Sequence, residues 1–532
     1  MLKVGFIDYK NTIPFGIEFV KNIDVVRDYP SNLNKMLFEG KIDVGIVSSG
    51  EYIEHYYRYF IFPDISISGY KDVKSVAILS NKPLEDVDIV YLTKESKTSV
   101  LLTKVIFEKF LNKKPNYKYF DSIKNKETIL VIGDKALEIQ QYFKYCFDLS
   151  KIWFDYTGLP FTFALWCVNK DTFFKNREEV LNLYNQLKEN KENFFKSLDD
   201  TNLDNSIKSY LKNLDYSLTE KHIESLLLFS EYLFELRYIK SIPDFKFIDG
   251  VVITRDKTKT IYNFEYKEAY HSTKAGAYTE SLEKFVKPSN IKNLLEKGKP
   301  VSILDVGFGL GYNVATAINF AKTISENPVL EIISIEKDIN FLENIKKISY
   351  PESLSEEYQF ILSLNEVVIN IAGEEIKGFK AEKNGINLSV LIDEGRKIIN
   401  LLKRVGKKFD TIFYDPFSPK VNTEMWTLDI FKVLYEIIKD DGVFLTYSNA
   451  IPVKVGLLEA GFKIGYISPV GRRTPSLLAT KYGSLQDLPK EEIEKIKNSR
   501  FAIPYRDKNF SLDGREIWEN WEKEIAKATS GT

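Results

Sequence analysis

Apolar positions along this chain fall into short runs closed by glycine, proline or hydroxyl residues, and most runs precede a stretch with apolar residues at helical spacing. In the first half, residues 2–7, 42–47, 75–80, 88–92 and 128–132 read as strands. Pro14 is expected in the first turn of a helix, with the loop carrying Asn11 facing that helix's N-terminal end. Pro30 opens a helix reaching about Glu39, and Ser48-Ser49-Gly50-Glu51 and Ser96-Lys97-Thr98-Ser99-Val100 open two more. Residues 182–233 read as helical throughout, with few glycines or prolines. In the second half, residues 247–262 read as a hairpin with Asp256-Lys257-Thr258-Lys259 as its polar turn. Strands at 301–306, 330–336, 409–414 and 442–447 follow, and residues 514–527 read as a charged terminal helix. The alternation indicates an α/β protein.

The densest pattern is Ile303-Leu304-Asp305-Val306-Gly307-Phe308-Gly309-Leu310-Gly311-Tyr312-Asn313, an apolar run ending in alternating glycines before a helix. A strand, tight turn and helix start of this kind bind a nucleotide-like ligand in open α/β sheets. Tyr312 replaces the third glycine of the dinucleotide fingerprint, and the next strand ends in Glu336, placed to take a ribose hydroxyl pair. Asp305 adds negative charge before the turn, which repels a pyrophosphate and suits a sulfonium. These features favour S-adenosylmethionine over NAD, with Gly307, Gly309 and Gly311 approaching the ligand.

The totals set bounds. A chain of 532 residues suggests two to four domains, and an apolar share of 44% with 28% charged residues is that of a soluble globular protein. Lys and Arg number 74 against 75 Asp and Glu, so net charge gives no support for a nucleic-acid partner. The two cysteines, Cys146 and Cys167, form no disulfide framework and suit a reduced compartment. Three histidines, His55, His222 and His271, make a His-rich metal site unexpected. With no signal-peptide pattern and no long apolar run, a cytoplasmic protein without membrane association is expected.

Several helix N-termini with Ser, Thr or Asn at their mouths suggest by their recurrence one anion-favouring cleft in the first half, although any single hydroxyl is better explained as a helix cap. There, Asp-Tyr-Lys-Asn-Thr-Ile-Pro, Gly-Lys-Ile-Asp-Val-Gly-Ile-Val-Ser-Ser-Gly-Glu-Tyr, Val-Lys-Ser-Val-Ala-Ile-Leu-Ser, Ser-Lys-Thr-Ser-Val and Tyr-Thr-Gly-Leu-Pro-Phe-Thr-Phe-Ala-Leu-Trp resemble the MqnA family of chorismate dehydratases, from the start to about residue 245. The resemblance implies a two-lobed periplasmic-binding-protein-like (type II) fold. It also implies conversion of chorismate to 3-[(1-carboxyvinyl)oxy]benzoate, without a cofactor, in the futalosine route to menaquinone. The family's functional asparagine and serine match Asn11 and Ser75. A dianionic substrate fits Thr98 and Ser99 for one carboxylate and Ser48 and Ser49 for another contact, while Tyr156, Phe161 and Trp166 are candidates for pocket walls or for core. No His or carboxylate pair in these motifs stands out as a general base, so orientation and charge stabilisation by Asn11 and Ser75 are expected, with one of chorismate's own carboxylates a candidate for taking the proton.

Residues 248–482 resemble the methyltransferase part of MnmC and its stand-alone relatives. The matching text is Tyr-His-Ser-x-x-x-Gly-Ala, the glycine turn, Asp-Pro-Phe-Ser-Pro-Lys with the following Met-Trp, and Gly-Arg-Arg-Thr-Pro-Ser-Leu-Leu-Ala. The resemblance implies a Rossmann-like class I fold that uses S-adenosyl-L-methionine to methylate 5-aminomethyl-(2-thio)uridine at the tRNA wobble position. Asp415 is then expected at the reacting amine, Asp393 at the adenine side with Glu394 as alternative, and Arg472 and Arg473 at phosphates. The expected division is residues 1–247 and 248–532. The rival readings are a small-carboxylate binding module for the first part and a small-molecule N-methyltransferase for the second.

Overall fold

A computed structural model describes residues 1–530 apart from 124, 125, 472 and 484–486. The chain divides into two compact units, Met1–Gly250 and Val251–Thr532.

Among the described residues, the first unit holds two five-stranded sheets. In the first, the order is Ile23–Arg27, Leu2–Phe6, Val44–Ser48, Phe161–Asn169, Tyr59–Gly69. Its first three strands are parallel, and Phe161–Asn169 runs antiparallel to both neighbours. The second has the order Asn116–Tyr119, Ile89–Leu92, Thr128–Ile132, Val76–Ser80, Tyr145–Asp148, with Val76–Ser80 antiparallel to both neighbours. Each sheet therefore has as its fourth strand the one on which the chain enters from the other lobe. This reciprocal insertion is the two-lobed topology expected, with two crossings, at residues 69–76 and 148–161. Val44–Ser48, Val76–Ser80 and Thr128–Ile132 are buried along their whole length, as strands covered on both faces must be.

One local expectation fails. No α-helix follows Asn11: Lys10–Phe15 is a 3-10 turn with Pro14 inside it, and Gly16 at φ 51° stops it. The left-handed glycine redirects the chain into a second short turn, Ile17–Phe19, and then into the edge strand Ile23–Arg27. The helical stretch at 182–233 resolves into Arg177–Ser197, Asn205–Asn213 and Glu220–Glu235.

The second unit is built on a sheet that, among the described residues, has nine strands in the order Asn365–Ile371, Glu374–Lys383, Ile386–Ile392, Leu330–Glu336, Val301–Val306, Phe409–Tyr414, Ile438–Thr446, Ser476–Thr480, Lys463–Ile467. The five strands from Ile386–Ile392 to Ile438–Thr446 are parallel. Two apolar clusters cover the sheet, one including Ile303, Leu310 and Phe413 and the other Leu304, Ile412 and Phe431. From Val301–Val306 the chain first moves to Leu330–Glu336 and later to Phe409–Tyr414 on the opposite side. That switch opens a crevice at the strands' carboxyl ends. The antiparallel ribbon Asn365–Ile371 and Glu374–Lys383 has no counterpart in the strand reading, because its outer strand is largely exposed and lacks a buried apolar face.

Candidate functional sites

Ser75 is set by a dense local network. Lys74 holds φ 60°, and the carboxylate of Asp148 accepts Val73 N at 2.8 Å and Lys74 N at 2.6 Å. Ser75 N donates to Val73 O at 2.7 Å, and Ser75 O accepts Gly133 N at 2.8 Å. Burial pushes Asp148 up to about 6 despite these donors. Asn11 sits in the Lys10–Phe15 turn, which Thr12 ties internally by donating to Ile7 O at 2.8 Å and Tyr9 O at 2.7 Å. One cleft, enclosing about 500 Å³ with its solvent-open part included, is lined by Asn11, Ser48, Ser75 and Ser99, with Tyr9, Ser96 and Phe163 beside them. The Oδ1 of Asn11 is buried there without a hydrogen-bond partner. A buried acceptor left unpaired is costly, and this atom keeps its hydrogen-bonding capacity free on the cleft's lining.

Ser49 and Thr98 are not in this lining. Ser49 Oγ donates to Thr162 O at 2.8 Å and lies 3.3 Å from Thr98 Oγ1, which accepts Gly50 N at 2.8 Å. The two hydroxyls clasp the lobes where the helices Ser49–His55 and Lys97–Val105 meet, and a Cβ on Gly50 would stand 3.3 Å from Thr98 N. Consecutive residues on a helix point about 100° apart, so a serine–threonine run at a helix mouth cannot turn all its hydroxyls to one ligand. Ser96, the N-cap, and Ser99 share a face, with hydroxyls 2.9 Å apart. Of the aromatic candidates, Trp166 packs in the core on Phe15 and Phe62, Phe161 packs on Trp153 and Phe229, and exposed Tyr156 stacks on Phe110. The lining aromatics are Tyr9 and Phe163. Tyr9 escaped the sequence reading; burial and then Glu95 hold its phenol well above the ordinary tyrosine range.

In the second unit, Gly307, Gly309 and Gly311 have φ of 91°, 54° and 77°. A Cβ on Gly307 would lie 2.8 Å from the carbonyl oxygen of Asp415, and one on Gly309 would lie 2.9 Å from the Tyr270 ring. A Cβ on Gly311 would meet Phe308 at 3.1 Å. Glycine is thus required by backbone conformation and by protein neighbours as well as by the ligand's approach. Gly309 N donates to Glu336 Oε2 at 2.8 Å, while Oε1 accepts Lys337 N and Asp338 N at 2.7 and 2.8 Å. Burial raises Glu336 against these donors.

Asp305 is fully buried, accepts the Ser334 hydroxyl at 3.0 Å through Oδ2, and leaves Oδ1 unpartnered. Burial lifts it to about 7, so near neutral pH Asp305 carries only part of the negative charge expected before the turn. Asn313 donates from Nδ2 to Asp415 Oδ2 at 2.9 Å, and its own Oδ1 is buried without a partner. Asp415 is half-buried at the end of its strand; burial, then Glu280 and Asp305, raise it well above the usual carboxylate range against the Asn313 bond. Glu280 pairs with buried Lys284 at 2.5 Å. Around this end of the sheet stand Tyr270 and Phe417, with ring centroids 5.2 Å apart, and Tyr266, stacked on Phe417 at 4.4 Å.

Asp393 follows the strand Ile386–Ile392, and its N donates to Glu336 O at 3.1 Å. Its carboxylate meets Lys397 at 2.7 Å. Glu394 caps the helix Gly395–Arg404 and pairs with Arg396 at 2.9 Å, so both carboxylates are already partnered, Asp393 also accepting Glu394 N at 2.8 Å. Arg473 is exposed in a loop whose Gly471 abuts Ala275; Arg472 lies outside the described residues. Asn313, Glu280, Lys284 and Tyr270 escaped the sequence reading. Asn313 and Tyr270 lie inside motifs quoted above, but their inward direction is not visible in the text.

The glycine cradle with Glu336 at its edge fits the adenosyl and ribose parts of S-adenosylmethionine, and the unpartnered oxygens of Asp305 and Asn313 fit a cationic or N–H-bearing group beside it. Among the described residues, no group of three or more His, Cys, Asp or Glu is arranged to hold a metal ion, and no helix is long and apolar enough to cross a membrane.

Comparison with known proteins finds separate matches in the two halves of the chain. A family model described as menaquinone biosynthesis matches residues 2–235, and one described as S-adenosyl-L-methionine-dependent methyltransferase matches 358–482. An uncharacterized protein of Methanocaldococcus jannaschii is 32% identical over 280 residues, 52% of this chain and 72% of its own length. The chorismate dehydratase of Thermus thermophilus is 28% identical over 191 residues, 32% of this chain and 70% of that enzyme. The bifunctional tRNA 5-methylaminomethyl-2-thiouridine biosynthesis protein MnmC of Burkholderia vietnamiensis is 26% identical over 229 residues, and this chain spans 33% of its length. The crystal structure of MNMC2 from Aquifex aeolicus is 32% identical, covering 61% of this chain and 97% of its own, with a TM-score of 0.46. Residues 2–235 thus match the menaquinone-biosynthesis family and residues 358–482 the family of S-adenosyl-L-methionine-dependent methyltransferases, with a chorismate dehydratase and an MnmC protein among the relatives.

Proposed function

We propose that the first unit dehydrates chorismate to 3-[(1-carboxyvinyl)oxy]benzoate, and that the second methylates 5-aminomethyl-(2-thio)uridine in the tRNA wobble position. The observation that carries the first reading is the meeting of Asn11 and Ser75 in one cleft, with Asn11 Oδ1 unpartnered. In the reaction, a ring C–H proton and the neighbouring hydroxyl leave as water and the ring becomes aromatic. Ser48, Ser99 and the adjoining helix N-terminus hold a carboxylate, while Asn11 and Ser75 orient the ring and stabilise charge as the hydroxyl departs. One of chorismate's own carboxylates serves as proton acceptor, and the unit works without a cofactor. Ser49 and Thr98 act as lobe clasps.

S-adenosylmethionine supplies the second unit with a methyl group on a sulfonium. Gly307, Gly309 and Gly311 shape the turn that would hold it, with Asp305 beneath the turn. Glu336 would hold the ribose hydroxyls and Asp393 the adenine edge. An alkylamine is mostly protonated near neutral pH and must lose a proton to attack. Asp415, raised by burial, takes that proton and holds the amine, and Arg473 with Arg472 contacts tRNA phosphates. The protein on this reading is cytoplasmic.

Two assays decide the matter. The protein is incubated with chorismate and the product identified by mass. Separately, methyl transfer from labelled S-adenosylmethionine is measured on tRNA lacking the methyl group, with salt varied. Chorismate bound but unchanged would leave the first unit a binding module, and methylation of free amines with tRNA ignored would make the second a small-molecule enzyme. Near-normal dehydration by both Asn11→Ala and Ser75→Ala would end the assignment of those roles.

A further inference from the structure

The Oδ1 of Asn11 has no protein partner, so it does not fix the side chain's aim, and the direction of that amide depends on what holds its backbone. The backbone is held from an unexpected quarter. Tyr216 Oη donates to the carbonyl oxygen of Asn11 itself at 2.9 Å, across 205 residues of sequence.

The tyrosine is held in turn. Its segment runs antiparallel beside the strand Tyr59–Gly69: Ser68 N donates to Asp215 O at 2.7 Å, Asp215 N to Ser68 O at 2.9 Å and Ser66 N to Tyr216 O at 3.1 Å. The Asp215 carboxylate accepts Ser217 N at 2.8 Å and Ser217 Oγ at 2.6 Å and faces His222 at 3.3 Å. The Tyr216 ring stands edge-on to Phe15 at 5.8 Å and tilted on Phe195 at 5.2 Å, so packing and backbone together leave its hydroxyl one direction. At the other end of the turn, Asn190 Nδ2 donates to Phe15 O and Gly16 O at 3.2 and 3.0 Å. The last turn of the preceding helix, Asn205–Asn213, carries Tyr210, whose buried phenol faces the Ser75 hydroxyl. One short stretch of chain thus reaches both Asn11 and Ser75.

We infer that Tyr216 is a positioning residue: its hydroxyl, bonded to the Asn11 carbonyl, sets the Asn11 amide toward the cleft, with Tyr210 steadying Ser75 from the same segment. The kinetic consequence rests on the dehydratase reading; the structural one does not. Tyr216→Phe removes one oxygen and keeps the packed ring.

The test measures chorismate turnover and amide hydrogen exchange on the full-length protein. Tyr216→Phe is expected to lower kcat about tenfold, the worth of one hydrogen bond in the transition state, with KM within about twofold. Exchange of residues 9–16 rises while that of 76–80 stays as in the wild type. Tyr210→Phe lowers kcat and leaves exchange at 9–16 unchanged. Unaltered exchange at 9–16 in Tyr216→Phe overturns the inference, as does unaltered kcat in an active enzyme. So does faster exchange throughout the first unit, which would make Tyr216 general core. Should the wild type leave chorismate untouched, the dehydratase reading falls and the exchange measurement alone decides the role of Tyr216.

Discussion

Asn313 and Asp415, separated by 102 residues, meet at 2.9 Å where a glycine turn and a strand end converge. The amide holds one carboxylate oxygen and leaves its own Oδ1 bare, so the pair offers several acceptors to a ligand bearing N–H groups. Asp415→Asn is expected to cut methyl transfer at least about 100-fold, the usual range for a removed proton acceptor, while binding of S-adenosylmethionine changes little. Asn313→Ala should cost roughly tenfold by leaving Asp415 unaimed. Calorimetric titration of the methyl donor alongside single-turnover transfer separates the two effects; equal loss of binding and transfer would count against both roles.

Asp305 makes stability depend on pH in a definite direction. It keeps its proton to about pH 7 in the native state against an ordinary value of 3.8, so the folded protein holds an extra proton between those values. Stability contributed by the protonated form is full below about pH 4 and is lost as pH rises through about 7. Asp305→Asn removes this dependence, and above pH 7 it should unfold roughly 2–4 kcal/mol later than the wild type in denaturant titrations. Parallel pH profiles of the two proteins would contradict the assignment.

The turn glycines differ in tolerance. Gly307→Ala forces a side chain at φ 91° against the backbone carbonyl of Asp415, which cannot step aside. Gly309→Ala sits at φ 54°, a left-handed conformation that L-residues reach at modest cost, and meets the Tyr270 ring. Thermal unfolding should show a loss of about 2 kcal/mol or more for the first and about 1 kcal/mol for the second. The reverse order would show that Tyr270 is the harder wall.

The hydroxyls at the lobe junction should divide between stability and substrate. Thr98→Val leaves Gly50 N without its acceptor and is expected to cost roughly 1–3 kcal/mol of stability with KM for chorismate unchanged. Ser99→Ala should raise KM with less effect on unfolding. Denaturation and steady-state kinetics on both variants check this; a raised KM in Thr98→Val would return that residue to the substrate.

Much of this architecture is written in local patterns. The strands Val44–Ser48, Val76–Ser80 and Val301–Val306 are legible because a strand buried on both faces must be a continuous apolar run, and the glycines at 307, 309 and 311 because few other residues accept those backbone angles. The ribbon at 365–383 was not legible, since its exposed strand buries no stripe of its own.

Residue identity and spacing singled out Asn11, Ser75, Glu336 and Asp415 as candidates for the chemistry, because such groups must stand at strand ends and helix mouths that sequence alone can place. Tertiary structure decided which neighbours serve them. It turned Ser99 into the cleft and Thr98 away, raised the pKa of Asp305 by burial, and brought Tyr216 to Asn11 and Asn313 to Asp415. Side-chain direction, desolvation and contacts between distant residues arise only when packed elements close over one another, and no local pattern encodes them.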